Sequence, residues 1–549
     1  MKKFQVIKSI MVILVASYVL TSCSKMPVQS KLIPIDAAFV GVVDVTSIAT
    51  KGKLTDPESI KMLKSTLQTL QDADNSSSAL MQSMVDDPSK SGVDVLSDLY
   101  MYSVLHENQK FFCVSFKIDD KSKFQDNLEG LLGDDFDLKE KEGYIYYSNE
   151  KNQWIAFDGD AAVFVSALQA KPEDGEAFVE KLFTQKKDQT IGESKEFNDF
   201  LKEKKDISFW FSSTHFLAAL PDFYTESLKK SLEEFDGLTI TDIQNNYLHM
   251  HMNFDDDNIN FSFKIAANEA FQKYLESKSF TKEKINEELF AFFPQKSYLM
   301  ATYSVDPAKL QTYLTSLKDY KSLEKEMSAQ GIDLKQFFSS FAGDIMLSLY
   351  DVSLDIVEKK SQTYSVNAKG QYEIKDTIIQ KENLIPKASL IMSMNDDVFF
   401  NKLMKEVIPA EFYKKTDTYF DFSEAIGYPM FVGFQKNMLM ISTDANALSQ
   451  LAEGGYAENF SSSEVSQEIE GYSFYYINLD YETYPLQVKE YVSKMGVQHI
   501  IQPYTTLFES ITITSEDDMS ALLKINLKSD ASNSLLQVLH VLDSSNQKQ

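Results

Sequence analysis

At 549 residues, with 43% apolar and 25% charged side chains, the chain is long enough for at least two domains with their own cores and has a globular composition. All 54 basic residues are Lys, against 81 Asp and Glu, and the net charge of −27 opposes nucleic acid and anionic headgroups. With no Arg there is no planar bidentate fork for phosphate or sulfate.

The first 22 residues read as an export signal. Lys2, Lys3 and Lys8 form a positive start, and residues 9–20 (SIMVILVASYVL) form an apolar run. A bilayer span needs about 20 apolar residues, so this run suits a signal rather than a membrane helix. Thr21 and Ser22 are small, and Leu20-Thr21-Ser22-Cys23 resembles a lipoprotein lipobox. That resemblance implies cleavage between Ser22 and Cys23 and a diacylglycerol on the Cys23 sulfur, with residues 23–31 as a lipidated tether. Ser24 follows the cysteine where Asp would mark inner-membrane retention, and residues 24–31 (SKMPVQSK) carry no acidic export cluster. The expected address is the Gram-negative cell envelope, anchored in the outer membrane and facing the periplasm. Eight residues from Ser24 to Lys31 reach at most about 26–29 Å, so the body sits close to lipid. Losing residues 1–22 removes three Lys and no acid, which takes the net charge to −30. It also leaves Cys113 as the lone free thiol, with no intrachain disulfide.

Along the mature chain, residues 39–45 form an apolar strand. Asp56-Pro57 then pairs an N-cap with proline at the first helical position, ahead of Ile60, Leu63, Leu67 and Leu70 at helical spacing. A polar stretch follows over residues 72–90. Strands are expected at 143–148, 154–157 and 163–167, with Asp158-Gly159 as a hairpin signal, then a helix over 173–183. Residues 247–254 and 259–266 flank Asp255-Asp256-Asp257-Asn258 as another hairpin. Residues 280–289 read as a charged, helical junction.

The chain then repeats itself. LIPIDAAFVGVVDV (32–45) matches FFPQKSYLMATYSV (292–305) at a shift of 260. Gly92-Val93-Asp94-Val95 matches Gly331-Ile332-Asp333-Leu334. Ile118-Asp119-Asp120, leading to Phe124, Leu128, Leu131 and Leu132, matches Met394-Asn395-Asp396, leading to Phe400, Met404, Val407 and Ile408. Residues 207–211 (ISFWF) match 472–476 (YSFYY), and residues 257–265 match 517–525, again shifted by 260. Asp306-Pro307, with Leu310, Leu314 and Leu317, starts the helix that matches the one at Asp56-Pro57. The second copy carries an insertion at 359–382 that reads as a long hairpin or mobile loop. The expected fold is α+β: two similar tandem lobes, 32–283 and 284–549, each an antiparallel sheet with helices packed mainly on one face.

Chemistry is thin. His249-x-His251 places two imidazoles on one strand face with Leu248, Met250 and Met252 on the other. No third ligand follows, and the matching Glu509-Ser510-Ile511 has no His, so surface histidines are expected rather than Zn²⁺. The Asp255 turn lacks the alternating ligands and distal Glu of a calcium loop. Cys113 lies in an apolar strand with His106 as its nearest histidine and reads as a quiet buried thiol. Ser227-Leu228-Lys229-Lys230 has a Ser-x-x-Lys spacing without companion motifs. There is no Gly-x-Ser-x-Gly, phosphate loop or dinucleotide fingerprint. Aromatic runs such as Phe209-Trp210-Phe211 read as sheet core, with sugar or lipid stacking as the alternative. No catalytic, metal-binding or cofactor-binding residue is assigned, and no cofactor is expected.

The lipobox, Leu32-Ile33-Pro34-x-Asp36-Ala37, Val42-Val43-Asp44-Val45 and Lys51-Gly52-Lys53-Leu54 together resemble the start of bacterial lipoproteins in the domain-of-unknown-function family numbered 4836. The resemblance spans essentially the mature chain and implies an envelope address with no assigned activity. The reading is a non-catalytic binding or scaffolding lipoprotein whose partners are the membrane, through Cys23, and an envelope protein or a small apolar or glycan ligand. Nucleic acid is not a partner, and the oligomeric state is open. The alternative is an envelope hydrolase using an Asp/Glu pair in a cleft between lobes.

Overall fold

The computed structural model describes residues 26–549 apart from 55, 57–58, 62–87, 133–135, 168–170, 221, 235–237, 283, 318, 367–371, 497, 499–503, 530–531 and 547–549. The signal, Ser22, Cys23, most of the polar stretch at 72–90 and most of the helix expected after Asp56-Pro57 lie outside the described residues. The class is α+β. The chain divides into two compact units, Met1–His249 and Met250–Gln549.

The first unit holds β1 (Phe39–Val43), β2 (Leu99–His106), β3 (Gln109–Lys117), β4 (Asp137–Lys141), β5 (Tyr144–Asn149), β6 (Gln153–Phe157), β7 (Ala161–Ala167) and β8 (Ile207–Ser212). All pairings are antiparallel, in the order β4-β5-β6-β7-β3-β2-β1-β8. At the β6–β7 hairpin the Asp158 carboxylate accepts from the Asp160 and Ala161 N–H groups at 2.8 and 3.0 Å, which closes the turn foreseen at Asp158-Gly159. The edge strand β4 (DLKEK) is exposed throughout, and its alternating charges discourage edge-to-edge pairing.

Helices close one sheet face and only part of the other, so the expectation of helices mainly on one face holds for most of the sheet. Strand alternation sends Trp154 and Ala156 into one core and Ile155 and Phe157 into the other. The following helices are α1 (Val45–Lys51), α2 (Lys121–Leu132), α3 (Pro172–Thr184) and α4 (Lys195–Lys202). The larger core is closed by Phe178, Val179 and Leu182 of α3 and by Phe197 and Phe200 of α4. Phe124 and Leu128 of α2 close the smaller one. Helix α1 was not expected, because VTSIATK is rich in β-branched residues. Its start is fixed by Asp44, which accepts from the Ser47 N–H at 2.9 Å.

The second unit continues with β10 (Asn258–Ala266), β11 (Leu299–Ser304), β12 (Phe341–Val366), β13 (Tyr372–Met394), β14 (Lys414–Lys415), β15 (Phe420–Asp421), β16 (Phe431–Gln435), β17 (Met438–Ser442), β18 (Ser473–Asn478), β19 (Phe508–Asp517) and β20 (Ser520–Leu527). β9 (Tyr247–Phe254) crosses the division. The sheet order β14-β15-β16-β17-β13-β12-β11-β18 repeats that of the first unit strand for strand and runs on through β19 and β20 to β10. β10 and β20 pair antiparallel about Ser262↔Leu522, residues related by the 260-residue shift. The insertion at 359–382 is a hairpin: β12 and β13 extend past Asp351↔Lys387 and pair only with each other up to Val366↔Tyr372.

Helix α5 (Pro307–Ser316) follows β11 directly, capped by Asp306 at 2.9 and 3.1 Å from the Ala308 and Lys309 N–H groups. Its counterpart by position is therefore α1 rather than the helix at Asp56-Pro57. The junction at 280–289 is largely extended rather than helical. Thr281 bridges Val305, the Ile285 N–H donates to the Gly471 carbonyl at 3.0 Å, and only a 3-10 turn, Glu287–Phe292, follows. Burial of Ile285, Leu289 and Phe290 in the core outweighs the helical pattern.

Candidate functional site

Ser22 and Cys23 lie outside the described residues, but the chain just after them does not hang free. Met26 packs against the larger core of the first unit and lies over Gly192, where an added Cβ would sit 3.4 Å from its Cε. Pro27 opens a 3-10 turn, Val28–Leu32, in which Gln29 and Ser30 are buried. The Gln29 amide donates to the Asp98 carbonyl at 2.7 Å, and the Gln185 amide donates to the Lys31 carbonyl at 2.7 Å. The Tyr102 hydroxyl donates to the Leu32 carbonyl at 2.8 Å. Lys31 pairs with Asp158 at 2.8 Å and Asp160 at 3.3 Å. Partial burial opposes ionisation of Asp158, but Lys31 and two backbone N–H groups outweigh it and hold the carboxyl below its ordinary range. The stretch expected as tether is therefore part of the folded body from Met26 onward.

The other singled-out residues do not converge on a reaction. His249 and His251 are buried, not surface histidines. The imidazole-bearing face of β9 is the inner one, and the His249 ring meets Phe200 edge-on at 5.3 Å. Among the described residues no group of three or more His, Cys, Asp or Glu is placed to hold a metal ion. In the acidic turn, Asp255 accepts from Asn253 and Asn260 at 2.6 and 2.7 Å, and its backbone N–H donates to the Asn258 carbonyl at 2.9 Å; these are the bonds of a hairpin turn. Cys113 is fully buried opposite Tyr102, and burial pushes its thiol well up, away from the reactive thiolate. Ser227 lies exposed on the helix Asp222–Glu234.

One carboxyl stands apart. Partial burial and then Glu464 and Asp480 raise the Glu509 carboxyl above its ordinary range, although the residue remains solvent-accessible. Nearby, Glu468 pairs with Lys524 at 3.2 Å and Asp480 with Lys528.

A feature that motif reading missed is the chemistry of the sheet faces. Around β11, β12, β18 and β19 the buried face carries Thr302, Ser304, Ser348, Thr512 and Thr514 among its apolar residues. The opposite face carries Tyr475, Ile477 and Leu347, which are 41%, 40% and 39% exposed, aligned by register with Ala301, Leu299, Ile511 and Ile513. The first unit repeats this on β1, β3 and β8. Phe39 stacks on Phe209 at 5.8 Å and meets Phe211 at 4.9 Å, all partly exposed, and Phe112 is 45% exposed. Large apolar side chains gathered in the open on one sheet face mark a candidate interaction surface.

The described residues form an antiparallel α+β fold with a docked turn at Val28–Leu32 and an open apolar sheet face. The chain belongs to the family described as "Domain of unknown function (DUF4836)", which matches residues 30–535. No curated protein sequence matches. Among solved structures, crystal form III of TP0453 is similar at 9% identity over 45% of this chain and 82% of that one, with a TM-score of 0.26. Crystal form IV is similar at 11% identity over 42% and 79%, with a TM-score of 0.23. Among the described residues no helix is long and apolar enough to cross a membrane.

Proposed function

We propose that this chain is a lipid-anchored envelope protein that binds or scaffolds rather than catalyses, held by Cys23 in the outer membrane and facing the periplasm. The observation that carries the binding role is the open apolar sheet face, which recurs on equivalent strands of both units. Its aromatic and aliphatic character suits an apolar ligand or the apolar surface of an envelope protein. Crosslinking and pull-down from native membranes test it. Tyr475→Lys with Ile477→Lys, and separately Phe209→Lys, are expected to lose the captured partner while keeping the wild-type circular dichroism spectrum. Retained capture by both variants sinks the reading. The anchor is tested by Cys23→Ala, which is expected to move the protein from the membrane fraction to the soluble one.

The second reading, an envelope hydrolase, is favoured by the raised Glu509 carboxyl. Turnover of an envelope polymer by the purified body, abolished by Glu509→Gln, is the result that would install it.

A further inference from the structure

We infer that the end of the first unit where the chain enters, beside Met26, Asp98 and Asp160, is the surface that meets the lipid bilayer. This rests on the proposed lipidation of Cys23.

Only Ser24 and Lys25 separate Cys23 from the docked Met26, a reach of at most about 10–11 Å. A lipid chain fixed at that distance leaves the body little freedom to turn. The docking itself is firm: Gln29 and Ser30 are 2% and 3% exposed, side-chain bonds tie the turn to Asp98 and Gln185, and Leu32 and Ile33 end in the core. Peeling Met26–Lys31 away to lengthen the leash would uncover those groups and break each bond, leaving the buried Gln29 amide without its partner. The leash therefore stays short.

The direction follows from the strands. Asp98 immediately precedes β2, and Asp160 lies in the turn between β6 and β7, so both sit at one end of the sheet. The opposite end carries the β2–β3 turn at Glu107-Asn108. The eight residues of β2 between them span roughly 26 Å. One end of the unit is thus held at the headgroups while the β2–β3 turn points away.

The test uses the full lipidated chain in phosphatidylcholine vesicles that carry a nitroxide headgroup. A fluorophore is attached to a single new cysteine, Asp160→Cys or Lys110→Cys. Both positions are exposed, and native Cys113 is too buried to label. The label at 160 is expected to be quenched several-fold more than the label at 110. A Gly-Ser-Gly-Ser insertion between Lys25 and Met26 is expected to erase the difference without releasing the protein. Equal or reversed quenching in vesicle-bound protein overturns the orientation and leaves the anchor standing. Failure of the wild-type chain to co-sediment with vesicles overturns the anchor, and the orientation with it.

Discussion

Two residues show how packing overrules local rules. Gly175 lies in the first turn of α3, where helix propensity alone makes Gly→Ala stabilising by about 1 kcal/mol. An added Cβ would, however, stand 2.0 Å from the ring of Trp154, which is fully buried and has nowhere to go. Overpacking of this kind costs typically 1–3 kcal/mol or more, so Gly175→Ala is expected to lower stability by about 1–2 kcal/mol. A urea midpoint above wild type would refute that. Asp94 is the second case. Lys117 donates to its carboxylate at 2.7 Å and is the main reason the carboxyl lies below its ordinary value. A depressed acid stabilises the fold above its unfolded value and loses that contribution as pH falls through the folded one. Asp94→Asn should therefore narrow the stability gap from wild type as the medium is acidified below about pH 4, with the gap widest near neutrality. Denaturant midpoints between these limits give the comparison, and a gap independent of pH would count against the pair.

At the scale of elements, what was legible depended on how local the cause is. The Asp158-Gly159 hairpin and the Asp306 cap are decided by two or three neighbouring residues, and both are where the pattern put them. Helix α1 escaped notice because its β-branched sequence, VTSIATK, carries no helical periodicity to extend the cap at Asp44. The burial of His249 and His251 escaped because the face of a strand that turns inward depends on what packs there, here Phe200. The open apolar face was illegible for the same reason. Residues 474–477 (FYYI) are apolar on both faces, so no alternation tells the inner one from the outer. The insertion was legible as a long hairpin or a mobile loop, and the structure makes it the hairpin. Beyond Asp351↔Lys387 its strands pair only with each other, and an isolated two-stranded ribbon adds little stability. Replacing residues 356–382, which lie beyond the buried Ile385, by a two-residue turn, as at Glu107-Asn108 in the first unit, is expected to leave the thermal midpoint within a few degrees of wild type. A large drop would mean that the ribbon supports the core.

For the whole molecule, the repeat and the division into units pull the chain apart at different places. Sequence repetition places a boundary at 283/284, whereas compactness divides the chain at His249/Met250. The difference arises at β10. By sequence it ends the first copy, yet it contributes seven paired residues, Asn258 to Lys264, to β20 of the second unit, which would be an edge without it. A strand edge stripped of such a partner exposes its N–H and C=O groups and seeks another strand. A fragment starting at residue 250 keeps β10 on β20 and is expected to run as a single species in light scattering. A fragment starting at 284 leaves β20 bare and is expected to self-associate. Adding the complementary piece 32–283, which carries β10, is expected to suppress that association in favour of a one-to-one complex, because the two strands pair about Ser262 and Leu522 at equivalent positions of the repeat. If the fragment from 284 is monodisperse on its own, the β10–β20 pairing is dispensable and the boundary read from the repeat is also the boundary of folding.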